Sequence, residues 1–232
     1  MVRDLSLQIR IWLCSSLFAF ALCLSSTWTS GRTVSIHVVD QQGAPVPNAV
    51  IMLPDAVPAP IAPKPAVMDQ VERQFRPYVL TVGRGTSVSF PNSDNIRHHV
   101  YSFSSPKVFE LKLYAGKPEA PILFDRPGIV VLGCNIHDGM VGYIVVSEGA
   151  VWAQTDEQGI TTLELPDEAT EVRVWHPQQK GNLAALTPIL VPDSLPDDRF
   201  RMPLTLRASE TPESKPDAGH SFKYNRFKRY GS

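Results

Sequence analysis

The chain has 232 residues, with 22 basic against 23 acidic side chains and a formal net charge of -1. That balance excludes nucleic acid as a partner, because a phosphate-binding surface needs a clear basic excess. With 43% hydrophobic and only 19% charged residues, the chain is long and apolar enough for one or two packed cores.

Residues 1–30 read as a secretory signal peptide. Arg3 and Arg10 flank a polar start, and the apolar run 11–24 suits a signal core but falls short of the roughly 20 residues a membrane span needs. Ser25, Ser26 and Ser30 supply the small residues that cleavage requires; retention as an N-terminal anchor is the alternative. The expectation is a periplasmic protein with no stable membrane insertion after cleavage. Loss of Arg3, Asp4 and Arg10 leaves 20 basic and 22 acidic residues. Cys14 and Cys23 leave as well, so Cys134 becomes the only thiol of the mature chain. A solitary cysteine in an oxidising compartment is buried and inert, a ligand, or reactive.

Beyond the leader, helical periodicity is absent. Short alternating runs between Gly, Pro, Asn and Asp predict an all-β sandwich or barrel. Residues 33–39 alternate Val34, Ile36 and Val38 with Ser35 and His37, a turn follows at 40–43, and 49–53 is a second strand. Prolines recur through 54–66, which reads as an extended linker. Strands are then expected at 78–82, 87–90, 98–103, 129–132 and 141–146, with turn signals at Gly83-Arg84-Gly85, 91–94 and Pro127-Gly128. After Ser147 come a turn at 155–159 and strands at 160–165 and 171–175. Residues 207–232 hold six basic and three acidic side chains, with Phe222, Tyr224, Phe227 and Tyr230 among the basic ones. They read as a disordered basic tail, or more sharply as an arm that touches a partner or an anionic surface.

The chemistry concentrates in Gly133-Cys134-Asn135-Ile136-His137-Asp138-Gly139-Met140. A thiolate, an imidazole and a thioether are donors that a soft, redox-active metal prefers. Arg97-His98-His99-Val100 offers two candidates for a second imidazole. Two His and one Cys in a plane, with a weak axial Met, define an electron-transferring copper site. Zinc gains little from Met, and covalent haem attachment needs Cys-x-x-Cys-His. The period of a strand sends His98 and His99 to opposite faces, so one copper takes only one of them. His37 and His176 read as structural histidines, His220 lies in the tail, and Asp197-Asp198 as solvated charges. No Ser-His-Asp order or carboxylate pair marks a hydrolytic site.

In chain order, Phe75-Arg76-Pro77-Tyr78-Val79-Leu80, the Gly-x-x-Val-x-Phe-x-Asn strand ending at Asn92, Asp94, His98, Pro127-Gly128, Cys134, His137 and Met140 resemble a cupredoxin of the plastocyanin and amicyanin kind. The resemblance covers about a third of the chain. It implies a Greek-key β-sandwich over residues 67–147 with one type 1 copper at one end, held by His98, Cys134, His137 and Met140. The family's ligand His is commonly followed by Asn and an apolar residue, which makes His98 the ligand. His99 then stands where the family's Asn ties this strand to the Cys loop, a link that a ring nitrogen can replace. Val100, Ile136 and Val141 are expected to keep water off the metal. The chain also resembles exported proteins of the methylamine-utilisation-like kind, a label that supplies no substrate.

The flanking segments carry a second resemblance. Residues 34–53 and 155–175 each resemble one end of a small carboxypeptidase-regulatory-like β-sandwich, and neither is complete alone. Together, 33–53 and 150–206 are expected to form one discontinuous domain into which the cupredoxin is inserted. The function so implied is single-electron transport between redox protein partners by a monomer, not enzymatic turnover, because multicopper enzymes need many more His ligands. Copper delivery, storage or sensing is the alternative. The family's exit for electrons is the His of the Cys loop, here His137, beside Ile136, Gly139 and Val141. Asp138 next to it favours a positively charged partner edge.

Overall fold

A computed structural model describes residues 31–54, 65–117, 120–149 and 151–207. The expected signal peptide, most of the expected proline-rich linker and all but the first residue of the expected basic tail lie outside the described residues.

Among the described residues, seventeen strands follow one another. The first seven are β1 (Gly31–Val39), β2 (Val50–Met52), β3 (Ala66–Val67), β4 (Asp69–Val71), β5 (Gln74–Arg76), β6 (Val79–Gly83) and β7 (Thr86–Ser89). Next come β8 (His98–Ser104), β9 (Lys107–Tyr114), β10 (Ile122–Phe124), β11 (Gly128–Gly133) and β12 (Val141–Ser147). The last are β13 (Trp152–Gln154), β14 (Ile160–Pro166), β15 (Glu171–Trp175), β16 (Thr187–Leu190) and β17 (Arg199–Pro203). One short 3-10 turn, Pro196–Asp198, is the only helical element among the described residues. The fold is all-β, as composition and periodicity predict. No helix among the described residues is long and apolar enough to cross a membrane.

Four of the sheets stack as layers, in the orders β14-β1-β17, β13-β2-β15-β16, β6-β12-β11-β8-β9 and β10-β7-β3, while β4 and β5 form a separate hairpin. Three apolar cores lie between the layers, and the two-residue period of a strand feeds adjacent cores from one strand. In β2, Ile51 enters the first core while Val50 and Met52 enter the middle one. In β15, Val172 and Val174 face the first core and Trp175 the middle one. In β12, Tyr143 and Val145 point to the middle core, and Ile144 and Val146 to the third. A strand covered on both faces has no need of polar alternation, which is why 143–146 reads Tyr-Ile-Val-Val. Each fully buried aliphatic or Phe side chain contributes about 1.5–3 kcal/mol.

Segments distant in sequence meet in the first two layers. β1 runs antiparallel to β14 from Gly31↔Pro166 to His37↔Ile160, and parallel to β17. β2 pairs with both β13 and β15. Thr155 seals the seam: its hydroxyl donates to the Val46 carbonyl at 2.7 Å and accepts the Ala49 N–H at 2.9 Å.

The structure corrects the sequence reading in several places. Ala66, assigned to the linker, belongs to β3, which pairs in parallel with β7 and so joins the fourth layer. β4, β5, β9, β10, β13, β16 and β17 are also absent from the sequence reading. β9 lies at the sheet edge, and its charged Lys107, Glu110 and Lys112 hide the alternation that marks a half-buried strand. His37 is half-buried on β1. His176 is buried, with Nε2 at 3.1 Å from the Pro47 carbonyl and Nδ1 accepting the Gln178 N–H at 3.1 Å. Burial pushes its pKa down to about 4, so the ring is neutral over the ordinary pH range and acts as a structural joint.

Candidate metal centre

The hairpin of β11 and β12 sets the spacing of the donor loop. Gly133↔Val141 is the last pair of its ladder, so Cys134 and Met140 are the first residues beyond it on either side, with His137 between them. Gly139, at φ +85, lets the loop turn back. Gly133 answers a different need: a Cβ there would lie 2.8 Å from Cζ of Tyr101, its cross-strand neighbour on β8. The Tyr101 ring thus fits against the backbone just before Cys134.

His98 opens β8, the strand beside β11. Its Nδ1 lies 3.8 Å from Cys134 Sγ and 3.2 Å from His137 Nδ1, and Sγ lies 3.8 Å from His137 Nδ1. The circle through a triangle of sides 3.8, 3.8 and 3.2 Å has a radius of about 2.1 Å. A first-row metal ion at its centre would meet all three donors near the roughly 2.0–2.3 Å expected for nitrogen and thiolate ligands. These are the three residues whose donor atoms converge on a possible ion among those described. His98 is fully buried, Cys134 is unpaired and buried, and His137 is half-exposed. Met140 is buried in the same core cluster as Cys134, and its N–H donates to the His137 carbonyl at 3.2 Å.

Electrostatics favour the metal-binding form of the ring. Burial, the largest cause, holds the His137 pKa below the usual histidine value, and its neighbours His98 and Arg73 push the same way, against a smaller opposing effect of Asp94. A neutral imidazole is the form that ligates a metal.

The surroundings differ from expectation at two residues. His99 does not reach the Cys loop. It points to the other face, where Nε2 meets Glu110 Oε1 on β9 at 2.8 Å, and its buried Nδ1 has no hydrogen-bond partner. Replacing His99 with Asn should therefore leave metal uptake intact, with an affinity within about twofold of the parent because no donor is touched. Titration of the purified protein with copper checks this, and loss of uptake would reinstate His99 as a ligand. Ile136 is half-exposed and cannot shield the site. Val100 is fully buried, with Leu132, Phe75 and Met68 in the same core cluster.

The sequence reading gave Asp94 no contact. Its Oδ2 lies 2.6 Å from His98 Nε2, on the side of the ring away from Cys134. The loop that carries it is pinned by buried Asn92, whose side-chain amide donates to the Ile96 and Tyr114 carbonyls at 2.8 and 2.9 Å and whose Oδ1 accepts the Asp94 N–H at 3.1 Å.

No family model matches the sequence, and no curated protein matches it. Solved structures give partial likenesses. A copper-containing nitrite reductase from Thermus scotoductus is 26% identical over 48% of this chain, with a TM-score of 0.35, and the match spans only 28% of the reductase. A purple cupredoxin from Nitrosopumilus maritimus is 22% identical over 36% of this chain and 98% of its own length, with a TM-score of 0.31. An oxidised proline-to-glycine variant of amicyanin is 19% identical over 42% of this chain and 98% of its own, with a TM-score of 0.33.

Proposed function

We propose that this chain is a type 1 copper protein that carries single electrons between redox protein partners in the periplasm. The observation that carries the proposal is the convergence of His98 Nδ1, Cys134 Sγ and His137 Nδ1 at distances that suit one ion, with Met140 buried beside them. The donor set fits copper better than zinc, since soft thiolate and thioether donors favour copper. Bound copper would supply a one-electron Cu(II)/Cu(I) couple. Cys134, as thiolate, would hold the ion together with the imidazoles of His98 and His137, and Met140 would lend a weak thioether donor. Strand β8 carries His98, and β11 and β12 flank the loop that carries Cys134, His137 and Met140. The export signal at residues 1–30 supports the periplasm.

The same proposal covers organisation. The cupredoxin unit, 67–147, is inserted in a discontinuous sandwich of 33–53 and 150–206 related to carboxypeptidase regulatory domains. The pairing of β1 with β14 and of β2 with β15 supports this.

The test is direct. Copper added to the purified metal-free protein should bind one ion per chain and give an intense blue colour that ascorbate bleaches and oxidation restores. A colourless complex, or one that does not cycle, would leave copper held without electron traffic.

His137 is the exit for electrons in this proposal, being half-exposed where His98 is fully buried. Weak redox encounters bury little surface, so one charge beside the exit weighs heavily. Exposed Asp138 adjoins it. Asp138→Lys should slow exchange with a basic partner about tenfold at low salt and reverse its salt dependence, leaving the colour unchanged. Stopped-flow exchange against a basic cytochrome reads both, and a rate indifferent to the substitution would place the exit elsewhere.

A further inference from the structure

Resting on the copper reading above, we infer that Asp94 is a positioning residue that fixes the tautomer of His98 and, through it, lowers the reduction potential of the site. The geometry assigns each ring nitrogen a different task. His98 Nδ1 faces Cys134 and His137, while Nε2 faces Asp94 Oδ2 at 2.6 Å. A carboxylate only accepts, so Nε2 carries the proton and the lone pair is left on Nδ1, aimed at the metal position.

The carboxylate is itself held. Its Oδ1 accepts the Glu72 N–H at 2.7 Å and its Oδ2 the Arg73 N–H at 2.9 Å. Glu72 and Arg73 form the turn between β4 and β5, and both adopt positive φ, 53 and 58, which aims two successive N–H groups at one acceptor. The Asp94 side chain is only 13% exposed and that of His98 not at all, so the pair is shielded from competing water.

The consequence is chemical as well as geometric. A charged acceptor on Nε2–H pushes electron density into the ring and makes Nδ1 a stronger donor. A stronger donor favours the more highly charged ion, so Cu(II) gains more than Cu(I). The β4–β5 hairpin, which contributes no metal ligand, thereby acts on the metal through one carboxylate.

The experiment compares the parent protein with Asp94→Asn, which keeps size and an acceptor oxygen but removes the charge. Zn(II), as a closed-shell dication, should bind the variant about 10- to 100-fold more weakly. If the Cu(II)/Cu(I) affinity ratio falls tenfold, the potential of the blue protein rises by about 59 mV. Asp94→Glu should recover part of the shift. An unchanged potential in a blue Asp94→Asn protein would overturn the inference while leaving the copper reading intact; a parent protein that takes up no copper would remove both. Should Asp94→Asn fail to fold, nitrogen-15 NMR of the Zn(II)-loaded parent decides. A slowly exchanging proton on His98 Nε2 supports the assignment, and a bare Nε2 overturns it.

Discussion

Replacing Cys134 with serine is expected to abolish the blue absorption of the copper-loaded protein completely. The colour requires a thiolate bound to Cu(II), and a serine hydroxyl neither ionises near neutral pH nor shares electron density with the metal as sulfur does. The site would keep His98 Nδ1 and His137 Nδ1, 3.2 Å apart, so some copper would still bind as a pale, hard-ligand complex. Affinity should drop by at least 100-fold, as one of three converging donors is gone. The fold should survive, because the swap changes one atom at a residue already 8% exposed and costs about 1 kcal/mol. Absorption, copper content and a melting curve measured together separate these effects. Persistent blue colour in Cys134→Ser would mean that the chromophore lies elsewhere.

The second large effect is expected far from the metal. Trp175 is fully buried in the middle core, its ring centroid is 5.4 Å from that of Tyr143, and its indole N–H donates to the Leu183 carbonyl at 2.7 Å. Trp175→Ala should destabilise the protein by about 3–5 kcal/mol, since the transfer term and the residual cavity add. In a chain of this size that lowers Tm by on the order of 10 °C. Tyr143 neighbours Ile144, which faces the third core, so the damage reaches the sheet that carries the ligands. The blue colour should nonetheless be retained below the transition, because no donor contacts Trp175. Calorimetry on the loaded and metal-free protein checks both statements. Two separate transitions, with the metal-dependent one unmoved by the substitution, would mean that the layers fold independently.

Much of the fold was legible because the informative strands are covered on a face. Val34, Ile36 and Val38 alternate strictly, and all three are fully buried. The unbroken apolar stretch at 143–146 announces burial on both faces. β9 stayed hidden because charged Lys107 shares the half-buried register of Phe109 and Leu111 while apolar Val108 is exposed with Glu110 and Lys112, and β17 because its pattern, Arg-Phe-Arg-Met-Pro, sits among aspartates and prolines. The convergence of His98, Cys134 and His137 was legible for a chemical reason: Cys and His close together in a loop, with a second His on a neighbouring strand, suit one shared ion. The Asp94–His98 contact was not. A spacing of four places two side chains together on a helix, but in a loop it says nothing until the backbone is known, and here Asn92 sets the backbone.

The central position of β1 has a consequence for how the chain reaches its native state. Both strands that flank β1 begin at Ile160 or later, so this first described strand waits for the last third of the chain before it has neighbours. Contacts at such separation form slowly, because a long loop must close before any pairing rewards it. During that interval Val34, Ile36 and Val38 are an unprotected adhesive edge. Order of synthesis and order of assembly therefore differ: β1 is made long before β14 and β17, the two strands that complete its pairing. Truncations behind Glu171 would leave an apolar ribbon with only one flank covered, and such fragments are the ones expected to aggregate during folding.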